Sequence, residues 1–179
     1  MIAHPIDFSR SRLIVRTRAE GPLARVAHEL QIEAQRADGV AWFDDPAGSW
    51  RGLLEVPVAS LRVMGSLRAG TDELDTSGLN RLERAEIRRR LRKTVLAAPM
   101  VVVEAEGQAS QGRLRCVVPA ASDEVPFAVE PQKHREGLLV RGRVALSLNA
   151  LGIAEIKGPM GAFRVADRVE VEFDLFVTL

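Results

Sequence analysis

The 179-residue chain is 46% apolar and sets 25 Lys and Arg against 24 Asp and Glu, for a net charge of +1. That length holds one full core, which makes residues 1–179 a single domain and excludes two of ordinary size. The charge balance excludes the broad positive field of a sequence-independent nucleic-acid binder, and a lone cysteine, Cys116, excludes an intrachain disulfide.

The first residues, Met1-Ile-Ala-His-Pro-Ile-Asp-Phe8, lack the basic flank and apolar stretch of a secretory leader, so a cytoplasmic location is expected. Leu13, Val15 and Thr17 then alternate with Arg12, Arg16 and Arg18, and His28, Leu30, Ile32 and Ala34 with Glu29, Gln31 and Glu33. A period of two is the mark of a half-buried strand. Asp38-Gly39 and the loop Asp45-Pro-Ala-Gly-Ser49 read as turns, and a third strand carries Leu54, Val56 and Val58.

One helix interrupts this pattern. Asn80 and Glu83 have capping-box spacing, and Ile87, Leu91 and Val95 form an apolar stripe, which predicts a helix over 81–96 that Pro99 prevents from continuing. Met100 to Ala105 is a strand and holds the longest apolar run, Met100–Val103, far short of the roughly 20 residues that span a bilayer. After Glu106-Gly107 come strands through Leu114, Cys116 and Val118 and through Phe127 to Val129. Beyond Glu136-Gly137, a further strand carries Leu138, Val140, Val144 and Leu146. A short helical turn over 148–153 and the turn Gly158-Pro-Met-Gly161 lead to the cleanest alternation of all, Val169, Val171, Phe173, Leu175 and Val177.

About eight one-sided strands joined by short turns bury their apolar faces best by closing on themselves, so a mainly β, antiparallel barrel with one main helix is expected. The inward residues are mostly Val, Leu, Ile and Ala, and the whole chain has only 6 Phe and 2 Trp. An interior poor in rings leaves space, and a barrel of this strand number holds side chains or one small ligand.

At this point the residues resemble the YceI-like family of lipocalin-like barrels. The pieces are Ile6-Asp7 with Ser11-Arg-Leu-Ile-Val-Arg-Thr17, Ala27-His-Glu-Leu30, the helix Leu82–Leu96, Ala98-Pro99, Leu151-Gly-Ile153, and Gly161-Ala-Phe-Arg-Val-Ala-Asp-Arg-Val-Glu-Val-Glu-Phe173. Val117–Pro126 stands where the family has a Leu-x-Leu-x-Gly strand. The resemblance implies a cavity that binds a long-chain lipid such as a polyisoprenoid, without catalysis.

The expected lining is Leu13, Val15, Leu30, Ile32, Leu54, Val56, Val103, Leu114, Val140, Val144, Val171 and Phe173, with His28 placed to orient a headgroup at the mouth. The same side chains can instead simply fill the interior. A filled, ligand-free interaction module is one alternative, and an enzyme for a small apolar substrate with His28 as its proton-transfer group is another. Three histidines without ligand spacing point to no metal site, no cofactor motif is present, and Cys116 reads as a packed thiol. Arg88, Arg89, Arg92 and Lys93 offer a peripheral membrane contact, against a merely solvated helix face. No nucleic-acid partner is expected, and a homodimer is compatible with the composition.

Overall fold

The alternating segments pair as the period of two requires. In the computed structural model, which describes residues 2–44, 48–68 and 70–179 (Pro159 by its backbone only), the strands in chain order are β1 (Ile2–Arg16), β2 (Ala19–Glu20), β3 (Leu30–Ala34), β4 (Asp38–Asp44), β5 (Ser49–Pro57), β6 (Leu61–Leu67), β7 (Leu74–Asp75), β8 (Met100–Gln108), β9 (Gln111–Val118), β10 (Ala121–His134), β11 (Gly137–Ser147), β12 (Arg164–Val165) and β13 (Arg168–Thr178). Eight of them form a closed antiparallel barrel in the order β1, β4, β5, β8, β9, β10, β11, β13 and back to β1. Closure comes from the first and last strands, with Leu13 opposite Phe173 and Val15 opposite Val171.

Absent from the sequence reading are the first half of β1, then β4 and β6, and the two-residue strands β2, β7 and β12. β1 pairs with β4 through Ile2–Pro5 and with β3 through Ile14–Arg16, so β3 and β4 are two pieces of one long bent strand beside it. The bend lies at residues 35–37, held by a hydrogen bond from Gln35 N–H to Ser60 O. Asp38-Gly39 is therefore not a turn but the start of β4. Gly39 stands there because a Cβ would lie 2.8 Å from Leu54 and 2.9 Å from Ile6. Gly107 is likewise inside β8, with Trp50 lying where its Cβ would be, and the turn comes later at Ala109. The turns at Glu136 and at Gly158–Gly161 are where the sequence places them, and Asp44 pairs with Ser49 across a loop whose residues 45–47 lie outside the described ones.

Val117–Pro126 keeps its place in the barrel. Eight residues of β10 pair with β9 across a turn at residues 119–120, giving a strand longer than Phe127–Val129 alone.

Helix α1 (Arg81–Arg90) starts with the expected capping box: Asn80 Oδ1 accepts from Glu83 N–H at 2.9 Å and Glu83 Oε2 accepts from Asn80 N–H at 2.8 Å. It continues as a wide turn over Leu91–Val95, where Leu96 N–H donates to Leu91 O at 2.9 Å. Residues 148–152 form a hydrogen-bonded turn rather than a helix.

Two apolar clusters fill the interior. One, around Ile32, Val56, Val58, Leu61, Val63 and Leu79, packs under Ile87, Leu91 and Leu96 of the helix and its extension. The other joins β8–β11 and β13 to Leu151 and Ile153. The first closes the end of the barrel under the helix, and the second runs along the wall from Leu151 and Ile153 to Phe127.

Candidate functional site

Inside the barrel, walled by members of both clusters, lies a cavity of about 150 Å³. Its deeper wall is made by Leu13, Leu54, Val103, Leu114, Val144, Leu146 and Val171, and its outer part by Phe43, Trp50, Ala109, Pro131, Leu138 and Val177. No residue of the turn over 148–152 or of the helix lines it, so it belongs to the hairpin end of the barrel. Among the described lining residues only Arg51 is charged; its side chain is 64% exposed and its guanidinium lies 3.7 Å from Glu106.

The alternation explains this composition. On β11 and β13 the inward residues pair Val140 with Leu175, Gly142 with Phe173 and Val144 with Val171, while Arg141, Arg143, Glu172 and Asp174 point outward. Several inward residues, including Leu13, Val103, Val140, Val171 and Leu175, are only half-buried, although they face the barrel interior. Surface inside a barrel stays accessible only where it borders a space. Packing of the same wall is tighter where aromatics enter: Trp50, Phe127 and Phe173 form a chain of edge-to-face contacts at 5.8 and 6.1 Å. Phe173 lies over Gly142, and Trp50 over Gly107 and Gly112. Trp50 Nε1–H donates to Ala109 O at 2.9 Å, and Ala109 N–H donates to Gly48 O at 2.9 Å, so two hairpins are tied together beside the cavity.

Eight of the expected lining residues meet at this cavity: Leu13, Leu54, Val103, Leu114, Val140, Val144, Val171 and Phe173. The others do not. Ile32 and Val56 are 6% and 3% exposed in the solid cluster under the helix, against which Val15 and Leu30 also pack. They stand too near the closed end of their strands to reach the space. His28 is corrected outright: it is exposed in the connection before β3, so the strand facing read for it does not apply and it does not border the cavity. Phe43 was missed because the strand β4 was unread and Trp50 because it precedes the clearest alternation in β5, whereas Phe127 lies on a strand that was read but not among the residues expected to line the hollow.

Polar groups concentrate on the outer face. Arg16, 8% exposed, donates to Glu172 at 2.7 Å and Glu170 at 3.2 Å, and its Nε is without a partner among the described residues. The Arg16 hydrogen bond holds the Glu172 carboxyl below its ordinary value, with the Arg16, Arg143 and Arg12 charges adding to it against burial. Arg10 lies 3.5 Å over the outward ring of Phe176. Cys116 is 3% exposed, and burial, with the nearby Asp123 charge, pushes its thiol up to about 11. That is the packed, unreactive state expected for it. Among the described residues no three His, Cys, Asp or Glu side chains cluster as metal ligands do, and no helix is long and apolar enough to cross a membrane.

The basic helix run is only partly free. Arg89 is paired with Glu86 at 2.7 Å and Arg92 donates to Ala59 O at 2.5 Å, while Arg88 and Lys93 are exposed and have no ion-pair or hydrogen-bond partner among the described residues.

No protein-family model matches the chain, and no curated protein matches it in sequence. Among solved structures it superposes on the crystal structure of Burkholderia cenocepacia BcnA with a TM-score of 0.67 at 11% identity, over 97% of this chain and 99% of that one. The likeness is one of fold.

Proposed function

We propose that the barrel binds and carries a long-chain lipophilic molecule, isoprenoid or fatty, without transforming it. The observation that carries this reading is the hollow itself: about 150 Å³ inside a closed barrel, lined by aliphatic and aromatic side chains, with Arg51, the one charged residue among the described lining, largely exposed to solvent. Apolar cavities of about this volume stay dry and accept a molecule of benzene's size, so the space takes about six carbons of a chain. Burying them at ~0.8 kcal/mol per methylene is worth about 5 kcal/mol, an affinity in the sub-millimolar range before any contact outside the hollow. The remainder of a longer chain leaves between Phe43, Trp50 and Leu138 toward the hairpin end. The resemblance to the YceI-like family supports the same class of ligand, and the fold shared with BcnA supports the barrel that the reading requires.

The test is mass spectrometry of the protein purified under native conditions, both intact and after organic extraction. A stoichiometric lipophilic adduct that disappears when Val140 is replaced by Trp supports the carrier. An unliganded mass, with no binding on addition of isoprenoid or fatty alcohols, refutes it. An exchange of mass with a small substrate would support the enzyme alternative.

A further inference from the structure

Among the described residues six large apolar side chains are exposed: two, Ile2 at 72% and Leu179 at 63%, lie near the ends of the sequence. The other four lie on the connections at the closed end of the barrel, remote from the cavity: Leu23 at 51%, Val26 at 71%, Leu82 at 80% and Met160 at 104%. Topology places them together. Leu23 and Val26 lie between Arg16 and Leu30, Met160 lies between Ser147 and Arg168, and Leu82 opens the helix that follows β6 and β7. Hydrogen bonds join these connections: Leu23 N–H donates to Ala162 O at 3.2 Å, Arg18 binds Glu29, Thr71 and Asp72, and Arg84 binds Met64 O and Thr76 O.

Charge separates across the same end. The carboxylates on its connections are engaged: Glu20 and Glu155 with Arg164, Glu29 and Asp72 with Arg18, Glu73 with Arg68, Glu86 with Arg89, Glu83 in the helix cap, Asp75 with Ser77 and Gly78, and Asp167 with Ser147 and Asn149. Arg25, Arg81, Arg88, Arg90 and Lys93 are exposed and make no ion pair or side-chain hydrogen bond among the described residues. Residues 81–93 hold seven basic and two acidic side chains, a charge of +5 in a molecule of net +1, so the rest of the chain carries −4. The field at this end is positive, and aliphatic side chains stand within it.

We infer that the closed end docks on an anionic lipid bilayer, with Leu23, Val26, Leu82 and Met160 entering the headgroup layer and the unpaired cations on the lipid phosphates. Amphipathic surfaces of this kind bind by buried apolar area plus attraction to anionic lipid. A nucleic acid would match the cations but gains nothing from aliphatic tips, and the one ring on these connections among the described residues, Phe163, is half-buried over Gly158 rather than offered for stacking. Docked this way, the protein keeps the cavity end toward water, so membrane binding and cavity binding are independent.

The experiment is co-sedimentation of the full chain with vesicles of equal parts phosphatidylglycerol and phosphatidylcholine, and with phosphatidylcholine alone. Binding to the anionic vesicles is expected, weakening as salt rises and falling about 30-fold in Arg88→Gln/Lys93→Gln, at about 1 kcal/mol per lost charge. Leu23→Ser/Met160→Ser is expected to weaken it as well, and Val140→Trp to leave it unchanged. No binding to anionic vesicles, equal binding to both kinds, or indifference to both double variants overturns the proposal. So does a salt-insensitive dimer that Leu23→Ser/Met160→Ser dissolves, which would make the apolar tips a contact between copies.

Discussion

Exchanging Val140 for Trp puts an indole into the hollow, and a matching exchange at Val56 puts the same ring into solid core. Both residues are inward-facing valines of the barrel, but Val140 borders the cavity of about 150 Å³ and is half-buried, whereas Val56 is 3% exposed among Ile32, Leu54 and Val58. The indole adds seven heavy atoms, about the size of the benzene that a cavity of this volume accepts. Val140→Trp should therefore stay within about 1 kcal/mol of the parent in stability, because the added atoms enter empty space. Val56→Trp meets packed neighbours and should cost about 3 kcal/mol or more. Urea unfolding followed by circular dichroism reads both, with the slope against denaturant checking that each remains two-state. The parent and Val56→Trp, where it folds, should bind a fatty alcohol; Val140→Trp should not. Equal destabilisation by the two exchanges, or undiminished binding to Val140→Trp, refutes the placement of the hollow.

Gly142→Ala tests the same wall from behind: a Cβ there would lie 2.4 Å from Phe173 Cζ and 3.0 Å from Ala128 O, so the ring must swing into the cavity. A loss of about 1–3 kcal/mol in urea and weaker ligand binding are expected, and a neutral substitution would show that Phe173 is free to move elsewhere. Glu172 is held in its charged form by Arg16, so its folded pKa is lower than its unfolded one. The stability from this pair is complete above the unfolded value of about 4.3 and is lost as pH falls through the lower folded value. Glu172→Gln should thus cost about 1–3 kcal/mol at pH 7 and progressively less in acid, and a difference that does not change with pH contradicts the pairing. Cys116, with its thiol pushed up to about 11, should react with a disulfide reagent at pH 8 only as fast as the protein unfolds, and faster labelling would place it on an accessible surface.

The barrel was legible in the alternation because inward and outward residues differ so sharply in charge, as in Val169–Val177, where Arg, Glu and Asp occupy every other place up to Asp174. It failed where tertiary contact decided the residue. Gly39 and Gly107 carry the composition of turns but are strand positions in which Leu54 and Ile6, or Trp50, take the room of a side chain. β6, Leu61-Arg-Val-Met-Gly-Ser-Leu67, hides its period because Gly65 and Ser66 are buried against β7 and the segment before the helix. For the site, alternation shows which residues face inward but not how far along the axis they lie. Leu54 and Val56 point the same way on one strand and both belong to the core under the helix, yet only Leu54 also borders the hollow. That distinction depends on where α1 crosses the barrel, which no pattern within β5 encodes. His28 failed for a related reason: the alternation was extended past Leu30, where β3 begins.

Calorimetric titration with straight-chain alcohols of increasing length tests the apolar hollow most directly. Binding is expected with a negative heat-capacity change and an affinity that rises by about 0.8 kcal/mol per added methylene over about the first six carbons, all of it lost in Val140→Trp. No binding at any length, or an affinity indifferent to chain length, would contradict it.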